Sequence, residues 1–319
     1  MSTSVTELSD HFDGSRFYVP RVSTTRTFSD FLRWRRERRA VPWPHRLALS
    51  HHPPPPPSVE PGRVAVTMIG HATFLVRTAH AVWITDPVFT SHAGPFGRLG
   101  PRRVRPPALS VEQVPPLDIV LVSHNHYDHL QPSSLRALNT RGTPHIVVPL
   151  GLGDFVARRG FTRVHELDWW QTTTIGTVAV TSVPAQHFSA RTPWDRNATL
   201  WAGYLVRDGS TTVYFCGDSG YGPHFAQIGA TARIDVALLP IGAYEPRWFM
   251  QPMHVNPEEA VRAHLDLRAR SSIAMHFGVF HLTDEGIDAP IHALEAARSA
   301  AGLRANDFSV IDFGETVIA

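Results

Sequence analysis

The run Ile119-Val120-Leu121-Val122 passes, after a single serine, into His124-Asn125-His126-Tyr127-Asp128-His129. Four consecutive apolar, mostly β-branched residues read as a strand buried on both faces, which demands packed layers above and below it. Three imidazoles and a carboxylate then crowd six positions where the chain leaves that strand. His124 and His126 stand two apart, so a nearly extended loop aims both at one point. Asp128 and His129 lie one step further along and reach a second. Imidazole nitrogen and carboxylate oxygen suit zinc and similar borderline metals. The bland alternative is a solvated, histidine-rich turn, and the other ligand-type residues of the chain weigh against it.

Those residues sit at comparable junctions. His187 ends TVAVTSVPAQH, Asp218 ends VYFCGD and His276 ends SIAMH, each where a buried strand would emerge into a crevice. Any one of them alone is more often a satisfied core residue; together with the first four they make a set. Two divalent ions about 3.5–4 Å apart clamp an attacked oxygen between them. His124, His126 and His187 fill one ion, and Asp128, His129 and His276 the other. Asp218 offers one oxygen to each, which makes it both ligand and catalytic residue. Each ion keeps an open position. Two zinc ions fit this donor set, with iron or manganese not excluded. Ligand imidazoles also need partners that fix their tautomer. Asp86, in ITDP, and His71, in IGHAT, are the candidates, and Asp86 counts among the catalytic residues on that ground. A plain turn before Pro87 is the competing reading of Asp86.

The chain has 319 residues, 43% of them hydrophobic and 18% charged, as a globular protein does. No apolar run approaches the roughly 20 residues that cross a bilayer. The first 17 residues lack the pattern of a secretory signal. The single cysteine, Cys216, excludes an internal disulfide, so a cytoplasmic location is expected, with peripheral membrane contact as an addition. Residues 1–60 read as an N-terminal arm: a loose stretch to 27, a short helix over 28–39 with Ser29 as cap and Phe31, Leu32 and Trp34 as apolar anchors, then a polyproline spacer through Pro53–Pro57. Eight arginines against Asp30 and Glu37 fall within residues 21–46. Such a helix either lies weakly on an anionic membrane or docks on the catalytic domain with its arginines in water. The basic run is too short for a nucleic-acid partner. Nothing in the sequence sets the oligomeric state.

The catalytic domain is expected over 61–319, as an α/β fold with two facing β-sheets and helices outside. Strands are expected at 63–70, 72–78, 81–87, 118–124, 145–149, 163–167, 173–187, 200–209, 210–218, 235–242 and 272–278. Helices are expected at 132–140, 151–159, 257–268 and 287–301. Residues 89–117, rich in Gly, Pro and Arg, are too long for a turn and read as a lid or active-site loop.

The stretches IGHATFLV, ITDPVF, LVSHNHYDHL, ELDWW, FCGDSGYGP, PIGAYEPRWFM, HVNPEEA and MHFG, spread over residues 64–290, resemble the N-acylphosphatidylethanolamine-hydrolysing phospholipase D branch of the metallo-β-lactamase superfamily. HNHYDH alone marks the superfamily; ELDWW, PIGAYEPRWFM and HVNPEEA are narrower and favour this branch. The resemblance implies a four-layer αβ/βα sandwich, a dinuclear zinc site on the seven ligands above, and water attack on a phospholipid phosphodiester. It also implies that His254 lies at the active site and assists the leaving group, against the alternative that His254 caps the following helix. Tyr244, Glu245, Arg247 and Trp248 are candidates for the substrate pocket, with packing beneath the site as the other reading of Trp248. The arm matches only around LRW, and SHAGPFGR does not match, so the scissile bond is better supported than the head group.

The expected reaction is phosphodiester hydrolysis, with arginines of the 98–105 loop helping to stabilise the transition state. A lactone or acyl-ester hydrolase on the same scaffold and a catalytically silent metal-binding protein are the alternatives. GDSG at 217–220 resembles a serine-protease segment, but no partner histidine and aspartate motifs accompany it, and Ser219 is not expected to be a nucleophile.

Overall fold

In the computed structural model, the described residues are 10–319. Residues 1–9 lie outside them, and with these the start of the expected loose arm and part of the segment read as lacking a signal. Apolar and β-branched runs become strands β1 (Ala65–Gly70), β2 (Thr73–Arg77), β3 (Val82–Thr85), β4 (Ile119–Leu121), β5 (His145–Pro149), β6 (Val164–Leu167), β7 (Thr172–Ile175), β8 (Val178–Val183), β9 (Gly203–Asp208), β10 (Thr211–Phe215), β11 (Val236–Pro240), β12 (Ser271–Met275), β13 (Phe308–Ser309) and β14 (Thr316–Ile318). The helices are α1 (Phe28–Glu37), α2 (Pro132–Asn139), α3 (Gly153–Ala157), α4 (His224–Thr231), α5 (Arg247–Met250), α6 (Pro257–Leu267) and α7 (Ala289–Ala300). None of these helices is long and apolar enough to cross a membrane.

Two seven-stranded sheets result, ordered β14-β1-β2-β3-β4-β5-β6 and β13-β12-β11-β10-β9-β8-β7. In the first, β14 to β3 pair antiparallel and β3 to β6 parallel. In the second, β7 to β10 pair antiparallel and β10 to β13 parallel. The strand period of two distributes β4 between layers. Ile119 and Leu121 join the inter-sheet core with Val180, Tyr204 and Val213. Val120 and Val122 turn outward onto Leu135 and Leu138 of α2 and Val156 of α3. Each such side chain contributes about 1.5–3 kcal/mol on full burial. α2 starts where Pro132 takes the first helical turn, and its Leu135 and Leu138, three apart, share the buried face. The sheets also meet at polar points beneath the metal motif: Tyr204 donates its hydroxyl to the Val122 carbonyl at 2.9 Å, and Ala202 N–H donates to Ser123 O at 2.9 Å.

The arm departs from expectation. Residues 10–27 are not loose. Phe17 is 1% exposed in a cluster with Ala185, Leu200 and Trp201, and its N–H donates to Asn197 O. The cap of α1 is Thr27, not Ser29, because Thr27 and Asp30 form a reciprocal capping box. Of the three expected anchors only Trp34 packs, stacked on Phe249 at 5.3 Å; Phe31 and Leu32 stay exposed. Arg38 reaches Asp284 at 2.8 Å, so α1 docks on the domain. His52, just before the polyproline run, pairs with Asp312 at 3.0 Å. Residues 89–117 do not line the cleft that holds the expected ligands. Arg103 turns inward to the Val88 and Thr90 carbonyls, and Arg105 to Gly278 O, where they cannot reach a substrate.

Candidate metal centre

The expected ligands converge at the carboxyl ends of the strands. β4 delivers His124, His126, Asp128 and His129; β8 leads to His187, β10 to Asp218 and β12 to His276. Gly217 lets the end of β10 approach the motif: a Cβ there would meet Ser123 Cβ at 2.6 Å, and its φ of +62° suits glycine. His71, Asp86 and His276 hold left-handed backbone at φ 58°, 32° and 60°, a local strain that non-glycine residues keep only where the surroundings impose it.

The two expected ligand sets are both assembled. His124, His126 and His187 bring ligand atoms within 4.8 Å of one another, as do Asp128, His129 and His276, joined there by His71. Asp218 Oδ2 lies 3.1 Å from His129 Nε2 and 3.2 Å from His276 Nε2, and 3.9 and 3.8 Å from His124 Nε2 and His187 Nε2. One carboxylate therefore stands between both sets. Tautomers follow from the outer partners. His187 Nδ1 faces the Met253 carbonyl at 2.9 Å, and His129 Nδ1 faces Asp86 Oδ2 at 2.6 Å, leaving each Nε2 toward the centre. His71 does not hold an imidazole as expected; its Nε2 faces Asp128 Oδ2 at 3.1 Å and steers a carboxylate. Asp86 also accepts from Ser123 N–H at 2.6 Å and Ser123 Oγ at 2.5 Å, and that hydroxyl lies 2.9 Å from His124 Nδ1.

The donor set fits metal on its own atoms. His129 Nε2, His276 Nε2 and Asp218 Oδ1 are buried and have no hydrogen-bond partner, a costly condition unless something else satisfies them. Burial drives His124 well below the usual imidazole range, and His126 and His187 down to about 4 and about 3, so each of these rings is neutral at neutral pH and keeps one nitrogen lone pair for a metal. Burial opposes charge on His276 too, but Asp218 and Asp128 overcome it and lift that imidazole to about 9.

A cleft of about 220 Å³ opens over His126, Asp128, Asp218 and His254. Its wall is Phe188, Phe249, Met250, Met253 and Leu282, with Arg26 and Arg196. Neither arginine was found by sequence reasoning. The arm brings Arg26, pinned by the carbonyls of Trp248 and Phe249 at 2.8 Å, and Arg196 lies over the Phe188 ring at 4.2 Å with its Nε buried and unpartnered. DRNAT gave no local signal for this.

His254 is 7% exposed, with its ring 5.0 Å from that of His187 and its Nδ1 unpartnered. It is not a helix cap: Asn256 caps α6. Burial keeps its imidazole neutral, down to about 3, so it brings a hydrogen bond and no stored proton. The expected pocket residues do not line this cleft. Successive positions of a four-residue helix point about 100° apart, so Phe249 and Met250 face the cleft. Tyr244, Glu245 and Trp248 instead line a neighbouring cleft beneath Trp34. Arg247 turns inward to Glu259 at 2.7 Å and to the His254 carbonyl at 2.9 Å. Ser219 is fully buried, accepting from Gln186 N–H, and burial raises the Cys216 thiol to about 12; neither is a nucleophile.

Two facing mixed sheets, helices outside, and a histidine–aspartate cage at the strand ends define the class of metallo-β-lactamase-fold proteins. A family profile described as "Beta-lactamase superfamily domain" matches residues 83–277. The chain belongs to the metallo-β-lactamase superfamily, in the branch that resembles N-acylphosphatidylethanolamine-hydrolysing phospholipase D. It is 38% identical over 264 residues to N-acyl-phosphatidylethanolamine-hydrolyzing phospholipase D 1 of Caenorhabditis elegans, covering 78% of this chain and 74% of that protein. It is 40% identical over 241 residues to an uncharacterized protein of Mycobacterium tuberculosis, covering 74% of this chain; the matched region spans only 64% of that relative's length. The fold is similar to Igni18, a metallo hydrolase of Ignicoccus hospitalis, at TM-score 0.61 and 21% identity over 81% of this chain and 98% of that one.

Proposed function

We propose that this chain is a metal-dependent hydrolase of phosphodiesters that uses two zinc ions and acts on a glycerophospholipid of the N-acylphosphatidylethanolamine type. One observation carries the choice: Arg26 and Arg196 stand in an otherwise apolar wall beside the histidine–aspartate cage. A neutral lactone or ester gains little from two guanidinium groups there. A phosphodiester bears the negative charge they match, and its acyl chains suit the surrounding phenylalanine and methionine side chains. The phospholipase D activity named for the nematode relative points the same way.

His124, His126 and His187 would hold one ion and Asp128, His129 and His276 the other, with Asp218 between them. When bound, the two cations supply an acidified water and positive charge at the attacked phosphorus. The chain's own groups do the rest. Arg196, in the cleft wall, is placed to pair with a non-bridging phosphate oxygen. His254 is placed to hydrogen-bond the departing alcohol, and Arg247 positions it through its backbone carbonyl. The arm closes one side of the cleft, and the exposed Phe28, Phe31 and Leu32 of α1 give it a face for weak contact with a lipid surface. Cytoplasmic residence belongs to the same proposal.

The test begins with elemental analysis of full-length protein purified without added metal. N-acylphosphatidylethanolamine in mixed micelles, bis(p-nitrophenyl) phosphate and a lactone panel are then assayed side by side by mass spectrometry. The expected result is two equivalents of zinc, with phosphatidate and N-acylethanolamine as products. Rapid lactone turnover without phosphodiester cleavage would overturn the substrate class. Two metals with no hydrolysis of any kind would favour a silent metal-binding protein.

A further inference from the structure

A second cleft, of about 580 Å³, opens beside the loop that carries the metal motif and shares no residue with the first. Arg98, Arg136, Arg159 and Arg191 line it, together with Tyr127 and Phe96. Among the described residues no carboxylate lines it. The nearby acids are engaged elsewhere: Asp195 accepts from the backbone N–H groups of Arg191 and Thr192, and Asp154 lies 3.9 Å from Arg158. Four guanidinium groups thus line one space that no carboxylate enters, although the charge of Asp195 reaches Arg191.

Two of the four are fixed in place. Arg191 donates to the Asn125 and Leu130 carbonyls at 2.7 Å and lies over the Tyr127 ring at 3.9 Å. Arg159 lies over the Phe155 ring at 3.4 Å and donates one Nη to the Phe155 carbonyl, while its Nε is buried without a partner. Carbonyl oxygens satisfy geometry but leave the net charge standing. Burial first, and then Arg136 and Arg158, lower the Arg159 guanidinium, the mark of an uncompensated cation among like charges. Arg98 and Arg136 are exposed at the rim. Phe96 is 87% exposed, on backbone at φ 58°. Keeping like charges together around a preformed cleft costs stability, and an anion that enters it relieves that cost.

We infer that this cleft is a second binding site, separate from the metal centre, for a phosphate-bearing anion. Guanidinium forks match phosphate oxygens two at a time, and the held pair, Arg159 and Arg191, supplies the floor while Arg98 and Arg136 close over it. The phosphate comes either from a soluble phosphate ester or from the phosphomonoester head group of a lipid, in which case Phe96 enters the acyl region beside it. The inference does not rest on the phosphodiesterase reading, and either can fail while the other stands.

The experiment uses the metal-loaded full chain. Binding of glycerol 3-phosphate is measured by calorimetry, and binding to phosphatidylcholine vesicles with and without phosphatidic acid by co-sedimentation. The probes are repeated on Arg136→Ser/Arg159→Ser, on Arg98→Ser/Arg136→Ser in case Arg159 supports the fold, and on Arg304→Ser as a charge control. The expected result is affinity about ten-fold or more weaker in both double variants and unchanged in the control, since a charged hydrogen bond carries at least that factor. Loss of the calorimetric signal assigns a soluble ester; loss confined to phosphatidic-acid vesicles assigns the lipid. Binding that survives both double variants belongs to the metals and overturns the inference, as does the absence of binding to any probe.

Discussion

Asp86 is the most informative residue to change, because one carboxylate governs both halves of the metal centre. It faces His129 Nδ1 at 2.6 Å, and through Ser123 Oγ it reaches His124 Nδ1, so it touches one imidazole of each ligand set. Asp86→Asn keeps the shape and removes the charge. The amide oxygen can still accept from the Ser123 N–H, but the amide nitrogen then faces His129 Nδ1 and donates to it. His129 must take the opposite tautomer, with its proton on Nε2, the atom that faces Asp218 and the metal. Outer partners of this kind contribute about ten- to a hundred-fold in metal affinity, or roughly 1.4–2.7 kcal/mol. The lost charged hydrogen bond, at about 1.5–3 kcal/mol, lies in the same range. The measurement is competition against a fluorescent chelator, resolved into two metal equivalents, with thermal unfolding as a check on the fold. One equivalent should weaken by that factor and the other by less. Ser123→Ala supplies the complement, weakening the equivalent held by His124, His126 and His187. Equal weakening of both equivalents in both variants, or wild-type affinity in Asp86→Asn, would refute the tautomer argument.

Asp218→Asn should empty or loosen one metal position and abolish turnover while the circular-dichroism spectrum is retained; unchanged activity would remove Asp218 from between the ions. Arg196→Met should raise KM for an anionic phosphodiester about ten-fold or more, with little effect on a neutral ester; an equal effect on both substrates would mean that Arg196 only packs. Phe17→Ala should destabilise the protein by about 3–5 kcal/mol, read by denaturant unfolding, because Phe17 fills a closed cluster against Trp201; a near-neutral result would return residues 10–27 to a loose arm.

The seven ligand candidates were legible because a buried strand declares itself by composition and its carboxyl end is where polar groups must emerge. The same logic reached Asp86 and His71, although it could not tell that the hydrogen bond of His71 would go to Asp128 and not to an imidazole. What stayed hidden depended on side-chain direction or on docking between distant segments. Arg26 and Arg196 reach the cleft only because the arm folds across α5 and because the chain turns back near residue 196. Arg103 and Arg105 looked available as loop arginines, yet the loop needs both to satisfy its own carbonyls. Tyr244, Glu245 and Trp248 sit within a few residues of the cleft wall in sequence, yet their side chains line its neighbour. Thr27 and Ser29 are both acceptable caps by type; only the carboxylate of Asp30, three residues after Thr27, decides between them.

The sheet order explains why the cage has its composition. Reading β14-β1-β2-β3-β4-β5-β6 against β7-β8-β9-β10-β11-β12-β13, each strand has a counterpart with the same pairing sense. β3 and β10 then correspond, and each leads directly to an aspartate, Asp86 and Asp218. β1 and β8 correspond, and each leads to a histidine, His71 and His187. In the second half those two residues face the metal positions. In the first half they stand one step back, Asp86 behind His129 and His71 against Asp128. The difference lies in the chain beyond the strands. β4 is followed by a loop that fills its crevice with four candidate ligands, which leaves its neighbours only the outer places. β11, its counterpart, is followed by residues 241–254, which supply Ala243, Phe249, Met250, Met253 and His254 to the cleft wall. The first half of the scaffold therefore gathers four candidate ligands in one loop, while the second supplies three from separate strand ends and also shapes the approach, and the carboxylate of Asp218 is the point at which the two sets meet.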